Sequence, residues 1–310
     1  MTCPLTGEQK PPGFPVDRAP VAVKIDNAPP ARPQAGLESA DVVYEEIAEG
    51  GLTRFLAIYH CSDAADIGPV RSIRFVDADI LGQYAPVLFA FSGGAAAVTT
   101  EVLGGEGIVN IGFSSTPAPY ERRADRRAPS DLFTSTDRLR AANSLQHRPE
   151  GGLVFGRAAS SSSPAPPAEG SPSPSPPPGH RASFAFAPGG STIEYVYDSE
   201  AGAYLRSQGT AAHLTAVGAQ QRAVNVVVLK VAVRPGRIMD AAGNSSPETQ
   251  LVGSGEAIVL NGGRATSARW EKGGREAPIR LLDDEGDPVA LIPGNTWIHL
   301  LPSTRPVDIQ

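Results

Sequence analysis

Between Ala40 and Asp77 the chain interleaves charge with side chains that need a dry environment: ADVVYEEIAEGG runs into LTRFLAIYH and then, after a short gap, into IGPVRSIRFVD. Glu45, Glu46, Glu49, Arg54, Arg71 and Arg74 therefore sit among Val, Ile, Leu, Tyr and Phe. A buried ion is costly unless it is paired and hydrogen-bonded, so a fold that buries this stretch must bring its acids to bases. DVVYEEIA (41–48) and TRFLAIYH (53–60) are β-rich, and the Glu49-Gly50-Gly51-Leu52 segment between them supplies positive φ, which predicts an antiparallel pair. In a strand Glu45 and Glu46 face opposite sides, so they are not a ready-made carboxylate pair.

The same reading extends along the chain. VAVKIDN (21–27) alternates as a strand and ends in the proline-rich loop APPARPQ, which carries Arg32. Residues 71–84 approach the helical period, VLFAFSGG (87–94) reads as a buried strand, 95–103 as a helix and IVNIGF (108–113) as a strand. An arginine-rich loop (119–133) then leads to a helix over 135–146, capped by Ser135 or Thr136. From Ala158 to about Arg181 the chain is Ser/Pro-rich, with too little apolar surface to offset its ordering entropy, and it reads as a linker or flexible insert. Beyond it come strand signals almost exclusively, among them IEYVYD (193–198), AYLRS (203–207), VNVVVLKVAV (224–233), PVALI (288–292) and TWIHLLP (296–302).

Composition narrows the function classes. With 27 Lys+Arg against 33 Asp+Glu the net charge is −6, and no basic stripe interleaved with aromatics is present, so nucleic acid is not an expected partner. No apolar run reaches the ~18 residues of a membrane-spanning helix. The opening MTCPLTG lacks the pattern of a secretory signal, so any export leader is expected to have been removed or never included. Cys3 and Cys61 match no zinc spacing, and neither metal nor cofactor is expected. Three readings of the pair stay open: a disulfide in an oxidising compartment, a lipidated Cys3, or two unrelated thiols.

Several strings resemble one family, the YerB-like bacterial proteins, a two-part domain of unknown function: PLTG (4–7), VAVKIDN with ARPQAGL (31–37), ADVVYEE (40–46), EGGLTRF (49–55), IGPVRSIR (67–74), and RW…IRLLDDEG…LIPGNTWIHLLP. The resemblance covers nearly the whole chain apart from the Ser/Pro segment. It implies an extracytoplasmic protein of the cell envelope, often a lipoprotein, with a layered α/β N-terminal part and a β-rich C-terminal part. Members of that family tend to carry a His-Asn pair where this chain has Ser130 and Asp131, which puts a shared histidine-dependent reaction in doubt.

The candidate site residues follow from charge and placement. Glu46 and Glu49, near the hairpin tip, are candidates for an acid/base pair on envelope polysaccharide; the plainer expectation is that Glu45 or Glu46 pairs with Arg54 across the hairpin. Arg71, Ser72 and Arg74 are expected to open a helix whose free N–H groups favour an anion, with Arg32 and Arg127 of the Arg122–Arg127 cluster nearby. The alternative is that Arg71 and Arg74 satisfy Glu45, Glu46, Asp77 and Asp79 internally. Asp26-Asn27 is either a ligand pair or an Asx turn, Ser92-Gly93-Gly94 a structural turn, Trp270 and Trp297 core, and His213 and His299 structural.

The expected whole is a mixed α/β (α+β) chain: a layered N-terminal domain over 1–157, a linker over 158–182 and a β-rich C-terminal domain over 183–310. The preferred function is binding of an anionic cell-wall polymer, or an envelope protein, through Asp26, Arg32, Glu45, Glu46, Arg54, Arg71, Arg74 and Arg127. The rival is an envelope-polysaccharide hydrolase or lyase using Glu46 or Glu49.

Overall fold

The computed structural model describes residues 1–156, 179–239 and 243–310. The first half contributes β1 (Val21–Asp26), β2 (Val42–Ile47), β3 (Thr53–Tyr59), α1 (Val76–Gly82), β4 (Val87–Ala90), α2 (Ala96–Leu103), β5 (Ile108–Asn110), the short pair β6 (Glu121–Arg122) and β7 (Leu132–Phe133), and α3 (Thr136–Ala142). Among the described residues, the second half contributes strands alone: β8 (Arg181–Phe184), β9 (Ile193–Asp198), β10 (Ala203–Gln208), β11 (Ala211–Ala212), β12 (Arg222–Ala223), β13 (Asn225–Arg234), β14 (Glu248–Gln250), β15 (Gly253–Asn261), β16 (Arg264–Lys272), β17 (Arg280–Leu282), β18 (Thr296–Pro302) and β19 (Val307–Ile309). This is the β-rich α+β architecture that the alternation and the family resemblance led us to expect.

Hydrogen bonding crosses from one half to the other. The large sheet runs β17-β16-β15-β13-β18-β2-β3-β1-β4-β5, with β14 on β13. At its centre β18 pairs in parallel with β13 on one side and with β2 on the other. Strand β18 can hold that position because all seven of its residues are buried, as a strand covered on both faces requires. A second sheet, β11-β10-β9-β8-β19 with β12 on β10, is built wholly from the second half.

Period-two alternation then sorts side chains into two cores. One face of the large sheet contributes Val42, Tyr44, Leu56, Ile58, Ile298 and Leu300, packed with Ile73, Val76, Ile80 and Leu81 of the α1 region and Val98 and Val102 of α2. The opposite face contributes Val43, Phe55, Ala57 and Trp297, packed with Ala182, Phe184, Ile193, Tyr195 and Tyr204 of the second sheet. The layers are helices, large sheet, small sheet.

Three local expectations change. The helix expected over 71–84 begins only at Val76, because the backbone N–H of Arg71 donates to Lys24 O (2.8 Å) and that of Ile73 to Gly93 O (3.1 Å), which ties 71–73 to β1 and to the segment that follows β4. Residues 288–292 make isolated bridges, Leu282 with Pro288 and Leu291 with Phe155; Pro288 has no N–H to give a ladder. Of the expected linker, 158–178 lies outside the described residues, while Arg181 and Ala182 belong to β8. The helix near 135 is α3, and its Ser135 side chain caps it by accepting from the Arg138 N–H (3.2 Å).

Cys3 and Cys61 form a disulfide, with Cα atoms 6.0 Å apart, that fastens the N-terminal arm to the end of β3. This selects one of the three cysteine readings and removes Cys3 as a site of lipid attachment. Asp41 supports the junction by accepting from the backbone N–H groups of His60 (2.6 Å) and Cys61 (2.8 Å).

Candidate functional site

Glu45 and Glu46 point to opposite faces of the large sheet, and each meets a different set of partners. On the helix face Glu46 is bonded to the ammonium of Lys24, which also donates to Asp77 Oδ1 (2.6 Å). All three side chains are shut off from water. Asp77 Oδ2 accepts the Arg74 backbone N–H (2.7 Å), whereas Glu46 Oε2 has no partner among the described residues. One cation thus serves two carboxyls. Burial pushes the Glu46 carboxyl up, Lys24 opposes, Asp77 reinforces, and the result is about 7.

Nearer the surface on that face, Glu49 pairs with Arg74 and lies 3.7 Å from Arg54, whose Nη1 donates to Ser72 O (3.0 Å). Arg71 Nε lies 3.3 Å from Asp26 Oδ2, and Asp26 Oδ1 accepts from Ala28 N (3.3 Å), the Asx turn anticipated from the sequence. Arg54 therefore pairs with Glu49 rather than with Glu45 or Glu46. Arg71 and Arg74 precede α1 instead of opening it, and Asp77 already occupies the Arg74 N–H, so the expected helix-start anion site does not form.

On the opposite face Glu45 is wholly buried and receives Arg206 of β10, whose Nη2 lies 3.0 and 3.1 Å from its two oxygens. Thr53 Oγ1 donates to Glu45 (2.7 Å), Asn27 Nδ2 lies 3.2 Å away, and His299 Nδ1 lies 3.0 Å from Oε2. Burial alone would raise the Glu45 carboxyl; the Arg206 charge with the His299 and Thr53 contacts outweighs it and brings the group down to about 2. Arg206 also contacts His213, whose Nε2 reaches Gln34 Oε1 (2.8 Å). Burial, reinforced by the Arg206 charge, lowers the His213 pKa well below its ordinary value, and burial lowers that of His299 against the opposing hydrogen bond and charge of Glu45. The Arg206 guanidinium lies over the rings of Phe55 and Trp297, each centroid 5.5 Å away, so Trp297 belongs to the core.

This second network has an opening. A hollow of about 200 Å³ is lined by Arg32 and Thr53 from the first half and by Phe186, Ile193 and Gln208 from the second. Arg32 Nε donates to Asn27 Oδ1 (3.0 Å) and Nη2 to Asn27 O (2.7 Å), which fixes the guanidinium and leaves Nη1 without a partner among the described residues. Burial and the Arg206 charge both lower the Arg32 pKa. Other depressions with more space, about 740 Å³ beside β15 and β16, about 450 Å³ beside Gln83 and His147 and about 300 Å³ beside Asp41 and Asn295, share no residue with this network.

Of the residues singled out in the sequence, Asp26, Glu49, Arg54, Arg71 and Arg74 meet on the helix face near Glu46, while on the other face Arg32 is linked to Glu45 only through Asn27. Arg127 is exposed on its loop and makes no ion pair among the described residues. Lys24, Arg206, Gln208, His213 and His299 complete the networks and were not proposed from the sequence as site residues. Two of them left a trace: Lys24 stands inside the apolar run VAVKID, and Arg206 shares the inward parity of Tyr204 in AYLRSQ.

The sequence matches the family described as "Protein of unknown function (DUF3048)", its N-terminal domain over residues 5–148 and its C-terminal domain over residues 182–298. "Putative lipoprotein YerB" of Bacillus subtilis (strain 168) is 27% identical over 319 residues, spanning 100% of this chain and 89% of that protein. The crystal structure of the YerB protein from Bacillus subtilis has the same fold, with a TM-score of 0.80, 23% identity and 99% of each chain covered. The chain belongs to the DUF3048 family, and carries both of its domains.

Proposed function

We propose that the protein is an extracytoplasmic, envelope-associated binding protein whose hollow at Arg32 takes an anionic cell-wall ligand. The observation that carries this reading is the Nη1 of a fixed, half-buried Arg32 in the wall of the hollow, without a partner among the described residues, beside a network in which Arg206 is answered by the buried carboxylate of Glu45. The next carboxylate acting on Arg32, Asp26, is engaged with Arg71. An entering anion meets surplus positive charge held in a low-dielectric wall, where pairing is strongest. The extracytoplasmic location is supported by the word lipoprotein in the relative's name and by the Cys3–Cys61 disulfide, which suits an oxidising compartment. A lipid anchor, if one is attached, sits elsewhere than Cys3.

Hydrolysis draws no comparable support. Glu46 is shut off from water beneath Lys24, and Glu49 is spent on Arg74 and Arg54, so this pair does not flank a space for a sugar. The test is co-sedimentation with purified sacculi, with soluble fragments measured in the same tubes. Wild type is expected to pellet without releasing fragments, and Arg32→Ala to pellet with about tenfold weaker affinity, the size of one lost charge-assisted hydrogen bond. Equal pelleting of the two proteins, or fragment release by wild type, contradicts the proposal.

A further inference from the structure

Resting on that reading, we infer that the ligand group in the hollow is the terminal carboxylate of a short peptide ending in a small apolar residue. Four features select this class over other anions. The first is shape: buried Thr53, Phe186 and Ile193 form the base, while Leu52, Gly189 and Ser191 are exposed at the mouth. A hollow of about 200 Å³ closed at its base admits a chain end, whereas a phosphodiester inside a polymer needs an entrance and an exit.

The second is donor placement. Gln208 Oε1 accepts from Arg206 Nη1 (3.0 Å) and Asn27 Nδ2 (3.2 Å), so the amide orientation is fixed by two donors, and its Nε2 has no partner among the described residues while Gln208 lines the hollow. Arg32 Nη1 and Gln208 Nε2 supply one donor for each oxygen of a carboxylate. The third is charge: Arg32 and Arg206 against Glu45 leave one positive charge, which a monoanion matches and a phosphate dianion exceeds. The fourth is the apolar wall, where Phe186 and Ile193 can cover a methyl-sized side chain but the space left is small. Glycines shape its rim: Gly50 and Gly189 have φ of 65° and 68°, which side-chain-bearing residues rarely adopt, and a Cβ on Gly51 would stand 3.0 Å from the Ala187 Cβ.

The experiment is calorimetric titration of the full chain with N-acetyl-alanyl-alanine in its L,L and D,D forms, with the corresponding C-terminal amides, and with a glycerol phosphate oligomer. The expected result is binding of at least one acid form, binding of its amide weaker by about tenfold or more, and no displacement by the oligomer. The acid–amide comparison uses wild-type protein, so it stands even if Arg32→Ala fails to fold; where that variant folds, it is expected to erase the preference for the acid. Binding of the phosphate oligomer that depends on Arg32, with no binding of either dipeptide acid, overturns the peptide-end assignment and leaves the anion-binding reading intact. Equal affinity for acid and amide also overturns the assignment, and no binding of any probe overturns both.

Discussion

Because Glu45 meets Arg206 while Glu46 shares Lys24 with Asp77, two carboxyls adjacent in sequence titrate in opposite directions. Glu45, lowered from 4.5 to about 2, adds stability that is complete above about pH 4.5 and is lost as pH falls through 2. Glu46, raised to about 7, contributes most below about pH 4.5, and that contribution is lost as pH rises through 7. Glu45→Gln strands the buried Arg206 and is expected to cost about 3 kcal/mol at neutral pH. Glu46→Gln mimics the protonated carboxyl and is expected to cost less than about 1 kcal/mol near pH 8. Urea unfolding of both variants between about pH 5 and 8 checks this, and equal costs near pH 8 would show that the two carboxyls do not differ as described. The opposite facing of the pair was legible from the period of a strand. Their partners were not, since Lys24 is 22 residues from Glu46 and Arg206 is 161 residues from Glu45, and only the sheet order brings them together. Arg54 looked like the natural cross-strand partner, but it turns to Glu49 and the Ser72 carbonyl at the hairpin tip.

At the scale of elements, strongly patterned strands read well: TWIHLLP is β18 residue for residue, and IEYVYD is β9. Elements whose ends depend on tertiary hydrogen bonds read less well, as α1 shows, because the apolar spacing of 71–75 is helix-like while its N–H groups are taken by Lys24 O and Gly93 O. What sequence could not give is that β18, near the end of the chain, lies between β13 and β2 and pairs in parallel with both. It delivers Trp297 to one core, Ile298 and Leu300 to the other, and His299 to Glu45. A chain stopped at Asn295 exposes edges on both halves at once, so it is expected to lose cooperative unfolding altogether, as followed by near-ultraviolet circular dichroism in urea. A retained sharp transition would mean that the first half folds without this strand.

Across the whole molecule, the two sequence domains of the family share one sheet, and the hollow at Arg32 is lined from both. The first half supplies the fixed guanidinium and the second supplies Gln208 and, beneath it, Arg206, so neither half holds the complete set of donors. Of the glutamates that drew attention in the sequence, only Glu45 lies on this face, held by Arg206, while Glu46 and Glu49 are engaged on the opposite face. Coordinates of the protein crystallised with saturating N-acetyl-alanyl-alanine bear on this most directly. The account predicts a carboxylate within hydrogen-bonding distance of Arg32 Nη1 and Gln208 Nε2, with the terminal methyl against Phe186 and Ile193. An empty hollow at saturation, or a dipeptide bound elsewhere, would contradict it.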